Sequence, residues 1–414
     1  MDLSMVPAMR RLPSEIFSEI FIHCLGEEDG CKPRVVAGVC KRWRGVALST
    51  PRLWCRIYLH EEEIRAQSLY SLVSLQLERS GQVPLSVVFS DPSDDTSILR
   101  LLLTSSHRWQ SLDLDLAFRQ HEVIRASPNS FPMLKHLIIC ITPSLDLGNL
   151  SRSLPVLEEL TLSWPPSPIP PKFPWAGLTK CTLFHCSSSV VLNVLRSSSA
   201  MTELLLYRCY CLTQVDPHLT TITSNIRSLK ISRCTGTFTH DLVGHLAAPN
   251  LRELVIDDFR DDSVITQLTS LLAGSSGSIT HLTLCGVKLS EPELIPVLQL
   301  ADTLEHFEIS WPWDVHSNTL MEALTILPGK RLHPLLPSLR ALCITGGLSC
   351  SDDSLLTMLQ SRVPGLRQVE LYYAGRTFFF DRHLDGLRRA GMEITVHLEG
   401  PHGPYVDQSI EQEP

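Results

Sequence analysis

From residue 109 onward one apolar spacing keeps returning. Trp109-x-x-Leu112-x-Leu114 is followed by Leu134-x-x-Leu137-x-Ile139, Leu157-x-x-Leu160-x-Leu162, Leu178-x-x-Cys181-x-Leu183 and Met201-x-x-Leu204-x-Leu206. Ile226-x-x-Leu229-x-Ile231, Leu251-x-x-Leu254-x-Ile256, Ile279-x-x-Leu282-x-Leu284 and Leu304-x-x-Phe307-x-Ile309 continue it, and Leu339-x-x-Leu342-x-Ile344 and Leu366-x-x-Val369-x-Leu371 close it. The first positions lie 25, 23, 21, 23, 25, 25, 28, 25, 35 and 27 residues apart. The last three positions of each unit alternate apolar, polar, apolar, the period of a half-buried strand. Stretches of helical spacing fill the intervals, at 190–196, 241–246, 264–272, 293–300, 319–327 and 354–360. Strand, turn, helix and turn in about 25 residues make one coil that buries its faces against its neighbours. The longest interval holds an insertion around Pro328-Gly329-Lys330. Ahead of the series, Ile64, Leu69, Leu72, Val73, Leu75 and Leu77 predict a helix stopped by Ser80-Gly81. Residues 84–89 then predict a strand and 91–95 a loop.

The first residues follow no such period. Pro13 and Ser14 open a helix, because proline suits a first turn and Glu15 suits its positive end. Ile16, Phe17, Ile20, Phe21, Cys24 and Leu25 recur at helical spacing until Gly26-Glu27-Glu28-Asp29-Gly30 interrupts. A second helix carries Val35, Val36, Val39, Cys40, Trp43, Val46 and Ala47 on one side and ends at Ser49-Thr50-Pro51, with Leu53-Trp54 leading out. Two readings stand. The hairpin packs on itself, or so small a unit fails to bury Phe17, Phe21, Trp43 and Trp54 and presents them to a partner. The second is favoured.

Leu12-Pro13, Glu15-Ile16, Ile20-Phe21, Leu25, Val39-Cys40, Trp43 and Leu53-Trp54 resemble the F-box motif, and 39–54 is similar in particular to the F-box-like proteins of mushroom-forming fungi. The acidic, glycine-bearing loop at 26–33 departs from the usual short turn. The repeats resemble those of leucine-rich-repeat proteins of the F-box-associated kind. Together these imply an α/β protein: an all-α F-box module at 10–58, a connecting helix-strand segment at 59–100, a leucine-rich-repeat-like solenoid at 101–400 with a parallel sheet on its concave face, and a flexible tail at 401–414.

Net charge of -8 and pI near 6.1 disfavour a nucleic-acid binder, which needs a dense basic face. The opening MDLSMVPAMRR lacks the apolar core of a signal peptide, and apolar runs such as Leu101-Leu102-Leu103 and Phe378-Phe379-Phe380 are far short of a membrane span. A cytoplasmic or nuclear protein without membrane contact is expected, and its 13 cysteines are expected to be reduced. Cys209-Tyr-Cys211 is too tight for a paired-cysteine metal site. Cys186, Cys209 and Cys234 each fall three residues after the last strand position, where a thiol turned inward is structural. No nucleotide-binding, hydrolase or metalloprotease motif is present, so no catalytic residue, cofactor or metal is expected. The histidines stand singly, and the acidic pairs Asp257-Asp258 and Asp261-Asp262 fall in turns.

Function is therefore read from binding. The F-box resemblance implies docking on a Skp-type adaptor, and through it a cullin, by Leu12, Pro13, Ile16, Phe17, Ile20, Phe21, Val39, Cys40, Trp43, Leu53 and Trp54. On the sheet, the positions between core residues face outward. Glu159, Lys180, Tyr207, Lys230, Asp257, His281, His306 and Tyr372 are candidates there for holding a protein substrate. Trp164, Trp311 and Trp313 join them from two similar stretches, Ser163-Trp164-Pro165 and Ser310-Trp311-Pro312. For these tryptophans, capping of the coil interior is favoured over display. The implied function is the substrate-recognition subunit of an SCF-type ubiquitin ligase, itself non-catalytic. A ligase-independent scaffold and a leucine-rich-repeat GTPase regulator are the alternatives, the latter requiring a loop arginine that the sequence does not single out.

Overall fold

The computed structural model describes residues 12–24, 33–60, 68–93, 95–126, 130–140, 154–165, 169–170, 172–211, 221–257, 264–275, 277–287, 290–315, 318–326, 334–348, 350–372 and 381–397. Leu25, the 26–30 loop, Ile64, Pro166 to Pro168, Asp258, Asp261-Asp262, Pro328-Gly329-Lys330, Phe378 to Phe380 and the 401–414 tail lie outside them, as do the side chains of Trp311 and Trp313.

Helix α1 spans Ser14–Cys24, with Glu15 in its first turn and His23 in its last. The expected second helix is two: α2, Pro33–Val39, and α3, Lys41–Leu48. Cys40 breaks them with an extended backbone (φ -158, ψ 170), and its thiol caps α3 by accepting from the Trp43 N–H. The break also overturns the single apolar side. Val36, Val46 and Ala47 turn inward, whereas Val35, Val39 and Cys40 face solvent. A 3-10 turn, Pro51–Trp54, closes the module.

The chain divides into two compact units. The first comprises Met1–Leu160 and Pro170–Pro174; the second comprises Thr161–Ile169 and Trp175–Glu413. Beyond the helices just described, the first unit holds β1 (Arg56–Leu59), α4 (Leu69–Arg79), β2 (Leu85–Asp91), α5 (Ser97–Leu103), β3 (Trp109–Leu116), α6 (Phe118–Ala126) and β4 (His136–Cys140). Its strands pair in the order β1-β2-β3-β4, all parallel. Strand β2 alternates strictly, burying Leu85, Val87, Phe89 and Asp91. Asp91 was expected to open a loop. It ends the strand instead, because the Gln120 amide donates to its carboxylate at 3.0 Å and the Ser93 N–H at 2.8 Å. Strand β5, Glu159–Ser163, falls at the boundary between the units.

The second unit repeats strand and helix: β6 (Lys180–Phe184), α7 (Ser188–Ser197), β7 (Glu203–Tyr207), β8 (Ile222–Thr223), β9 (Ser228–Ser232), α8 (Gly236–Gly244), β10 (Leu246–Ala247) and β11 (Glu253–Asp257). It continues with α9 (Val264–Gly274), β12 (His281–Cys285), α10 (Glu291–Leu298), β13 (His306–Val315), α11 (Asn318–Leu324) and β14 (Ala341–Leu348). The final elements are α12 (Asp352–Ser361), β15 (Gln368–Tyr372), α13 (Asp381–Arg389) and β16 (Glu393–His397). Strands β8 and β10 pair separately. Leu246, expected in a helix, belongs to that pair because α8 stops at Gly244 and the His245 N–H closes its last turn.

The remaining strands run in the order β6-β7-β9-β11-β12-β13-β14-β15-β16, in parallel, and the order closes nowhere. Their register is set by the recurring apolar positions. Leu204, Leu229, Leu254, Leu282, Phe307, Leu342, Val369 and Ile394 align side by side, and so do Leu206, Ile231, Ile256, Leu284, Ile309, Ile344, Leu371 and Val396. All of the first row and most of the second are buried. A slip by one residue would expose both rows at once, which is what fixes the register.

Candidate functional site

The helical module has a core of its own. Phe17, Phe21, Val36, Ala37, Val46, Ala47, Leu53 and Trp54 are buried together, with Leu12, Ile22 and Trp43 at the margin. Phe21 lies 4.9 Å from Trp43 and 5.8 Å from Phe17, centroid to centroid. Arg42 stacks over Phe17 at 4.8 Å and donates to the Leu12 carbonyl. Trp54 donates its indole N–H to the Ala47 carbonyl at 2.8 Å. The expected shortage of cover for the aromatics is corrected here: the 3-10 turn and the rest of the first unit supply it. Arg79 of α4 stacks over Trp54 at 4.4 Å, and the Gln76 amide donates to the Arg56 carbonyl at 2.6 Å.

What the module leaves outside is aliphatic. Ile16 is 47% exposed, Ile20 43%, Val35 55%, Val39 58% and Leu48 41%. Pro13 and Cys40 are exposed beside them in sequence. The expected docking residues thus separate into a buried aromatic support (Phe17, Phe21, Leu53, Trp54, with Leu12 and Trp43 half-buried) and an outer set (Pro13, Ile16, Ile20, Val39, Cys40). Val35 and Leu48 are exposed as well and were not among the expected docking residues, because the helix break at Cys40 carries no compositional mark.

On the sheet, the outward positions meet along the strand register. Lys180 aligns with Glu203, and Lys230 pairs with Glu253 at 3.0 Å, with the Ser228 hydroxyl donating to the same carboxylate at 2.6 Å. His281 and His306 stack at 4.2 Å and 7°. Burial holds His306 below the usual histidine range, and the neighbouring His281 adds to the shift. Tyr372 stacks on His397 at 4.1 Å, and both donate to Glu370, at 2.8 and 2.9 Å. Burial, then the Glu370 hydrogen bond and charge, push the Tyr372 phenol up to about 12. Glu159 pairs with His136 at 3.0 Å. Asp257 closes β11.

Beyond the strand ends, four residues take a left-handed backbone: Trp164 (φ 56), His185 (φ 51), Arg208 (φ 50) and Arg233 (φ 53). Gly286 does the same after β12 (φ 65). Each donates its N–H to a carbonyl of the next long strand: Phe184, Tyr207, Ser232 and Asp257, each the last residue of its strand, and Ser310 within β13. After His185, Arg208, Arg233 and Gly286 the next residue is buried: Cys186, Cys209, Cys234 and Val287. The Cys209 thiol donates to the Leu183 carbonyl at 3.6 Å and the Cys234 thiol to the Leu206 carbonyl at 3.7 Å. The Cys209 N–H donates to the Cys234 sulfur at 3.3 Å. Such a backbone costs about 1 kcal/mol per non-glycine residue. Trp164 consequently projects outward, 51% exposed and flat against His185. That corrects its expected place as a cap on the coil interior. His185, Arg208 and Arg233 were missed, since no propensity announces a left-handed cationic residue.

Among the described residues no group of three or more His, Cys, Asp or Glu side chains is arranged to hold a metal, and no helix is long and apolar enough to cross a membrane. The described residues form a small helical module followed by a parallel α/β array. The module's family is identified by its sequence: residues 9–60 match the F-box-like family. The chain thus carries an F-box-like domain.

Proposed function

We propose that the chain is the substrate-recognition subunit of an SCF-type ubiquitin ligase. The F-box-like domain docks on a Skp-type adaptor and through it a cullin, and the strand array, read as a leucine-rich-repeat-like solenoid, holds a protein substrate. The transfer chemistry belongs to the partner machinery, with this chain supplying proximity in the cytoplasm and/or nucleus. The observation that carries the reading is the aliphatic rim of Ile16, Ile20, Val35, Val39 and Leu48 on a module whose aromatic core is already complete. Five exposed aliphatic side chains on so small a module support a docking face. The aromatic core is the wrong target for a test, because Phe21→Asp would unfold the module. Ile16→Asp with Ile20→Asp leaves that core intact. Co-purification of the full chain with a Skp-type adaptor and a cullin should be lost in the double variant while its thermal midpoint is kept. Unchanged association would sink the docking claim, and adaptor without cullin would leave a scaffold.

A further inference from the structure

Cys186 and Cys209 follow strands β6 and β7 at the same offset. Phe184 faces Tyr207 in the strand register and Ser187 bridges Tyr210 beyond it, so the two cysteines lie opposite one another. Opposed positions on neighbouring strands are about 4.8 Å apart, inside the roughly 4.4–6.8 Å that a disulfide spans between Cα atoms. Their sulfurs already lie 3.3 Å apart. A disulfide needs about 2.05 Å, so closure asks for a small side-chain rotation. Cys234, just past β9, is committed elsewhere. Its sulfur accepts from the Cys209 N–H at 3.3 Å, and its thiol donates to the Leu206 and Ser232 carbonyls at 3.7 and 3.4 Å.

Hydrogen bonds from Cys186, then from Cys234, hold Cys209 below the usual thiol range against the pull of burial. The thiolate is the nucleophilic form. The outward cysteines of the sheet are arranged the other way. Burial, then the charges of Glu308 and Asp257, hold Cys285 up, and burial, then Glu308 and Glu370, hold Cys343 up.

We propose that Cys186 and Cys209 form a reversible oxidation site that a hydroperoxide closes to a disulfide. The Cys209 thiolate attacks one oxygen of hydrogen peroxide. The S–O bond forms, the O–O bond breaks, and hydroxide leaves as water with the proton that the thiol gave up. The Cys186 sulfur then attacks the sulfenic sulfur. The S–S bond forms, the S–O bond breaks, and the hydroxyl leaves as water with the Cys186 proton. The two thiols lose two electrons between them and the peroxide becomes two waters. Both sulfurs are buried, so the reaction runs through local opening. His185 and Arg208, the residues just before them, hold left-handed backbones whose strain such opening relieves. Hydrogen peroxide is little larger than water, so it passes an opening too small for an alkylating reagent. Closure takes the Cys209 thiol from the Leu183 carbonyl and ties the ends of β6 and β7 together covalently. The site goes beyond the proposed function and needs neither adaptor nor substrate.

The test treats the full chain with hydrogen peroxide and removes the excess with catalase. Remaining thiols are then alkylated in urea and the peptides mapped by mass spectrometry. The Cys186–Cys209 link should be the dominant intramolecular disulfide, with both alkylated cysteines lost and then recovered after dithiothreitol. Cys186→Ala should abolish the link and leave Cys209 trappable by dimedone as a sulfenic acid, in protein whose thermal midpoint shows it folded. The wild-type map stands whether or not the alanine variant folds. Recovery of both cysteines as free thiols at a dose that oxidises the exposed Cys24 and Cys40 overturns the proposal. So does a Cys209–Cys234 link in place of the expected one, or the expected link formed as readily in urea.

Discussion

The sulfur atoms of Cys186 and Cys209 sit 3.3 Å apart, just beyond the ends of the adjacent strands β6 and β7, each thiol buried behind the left-handed residue that precedes it. With Cys234 they form a ladder that satisfies carbonyls of the neighbouring strands. The hydrogen bond to Cys209 and burial push Cys186 up, and burial pushes Cys234 up. Cys209→Val keeps the volume and removes the thiol. It should destabilise the protein by about 1–2 kcal/mol in urea unfolding, since the Leu183 carbonyl then loses its donor. A thiol reagent should modify the exposed Cys24 and Cys40 in the native protein and reach the ladder only on unfolding.

Arg362 clamps three carbonyls at once, Leu324 at 2.7 Å, Leu336 at 2.9 Å and Leu335 at 2.5 Å, and is itself buried. Burial lowers it to about 10, still protonated at neutral pH. Arg362→Met should cost about 3 kcal/mol or more, because three carbonyls lose a charged donor. Arg362→Lys should recover little, since an ammonium group lacks the planar fork that reaches all three. Equal stabilities of wild type and the lysine variant in thermal unfolding would refute the clamp.

His121 is buried in the first unit, and neither ring nitrogen meets a well-aligned partner. Burial lowers its pKa, against the opposing pull of the Leu116 backbone, Asp115 and Glu122. The folded value lies below the unfolded one, so the neutral ring's contribution is complete above about pH 6.5 and is lost as pH falls through the folded value. His121→Phe should flatten that acid-side loss in a pH series of unfolding midpoints.

Asp113 carries the opposite sign. Burial, then the charge of Asp115, raise its carboxyl to about 6. The folded state therefore holds a proton that the unfolded chain has released, so this group stabilises below about pH 4 and the effect is gone above about pH 6. Asp113→Asn should stabilise the protein at neutral pH by about 1 kcal/mol after allowance for solvent screening. No gain at pH 7, or an equal gain at pH 4, would show that the like-charge pair is already relieved.

The core rows were legible because two demands coincide. Leu229, Leu254 and Leu282 must alternate inward along their strands and must also recur once per coil to align. The inward cysteines were legible for the same reason, as a fixed offset within a repeat. Strand β1 was not, since Arg56-Ile57-Tyr58-Leu59 supplies only two inward positions. Val35 and Val39 were placed on one side with Val36, although only Val36 is buried, because a helix of seven residues has too few turns to declare its face, and a single cysteine turns the next helix away from it. The left-handed turns at Trp164, His185, Arg208 and Arg233 depend on a backbone choice that side-chain pattern does not encode.

Trp54 belongs to two structures. It completes the aromatic core of the helical module, and Arg79 of the neighbouring helix forms part of its cover. The span that identifies the domain, 9–60, ends before that cover begins. A graft cut at those limits would keep the buried cluster and the Ala47 hydrogen bond but lose the Arg79 guanidinium over the indole, which a cut after Ser80 would retain.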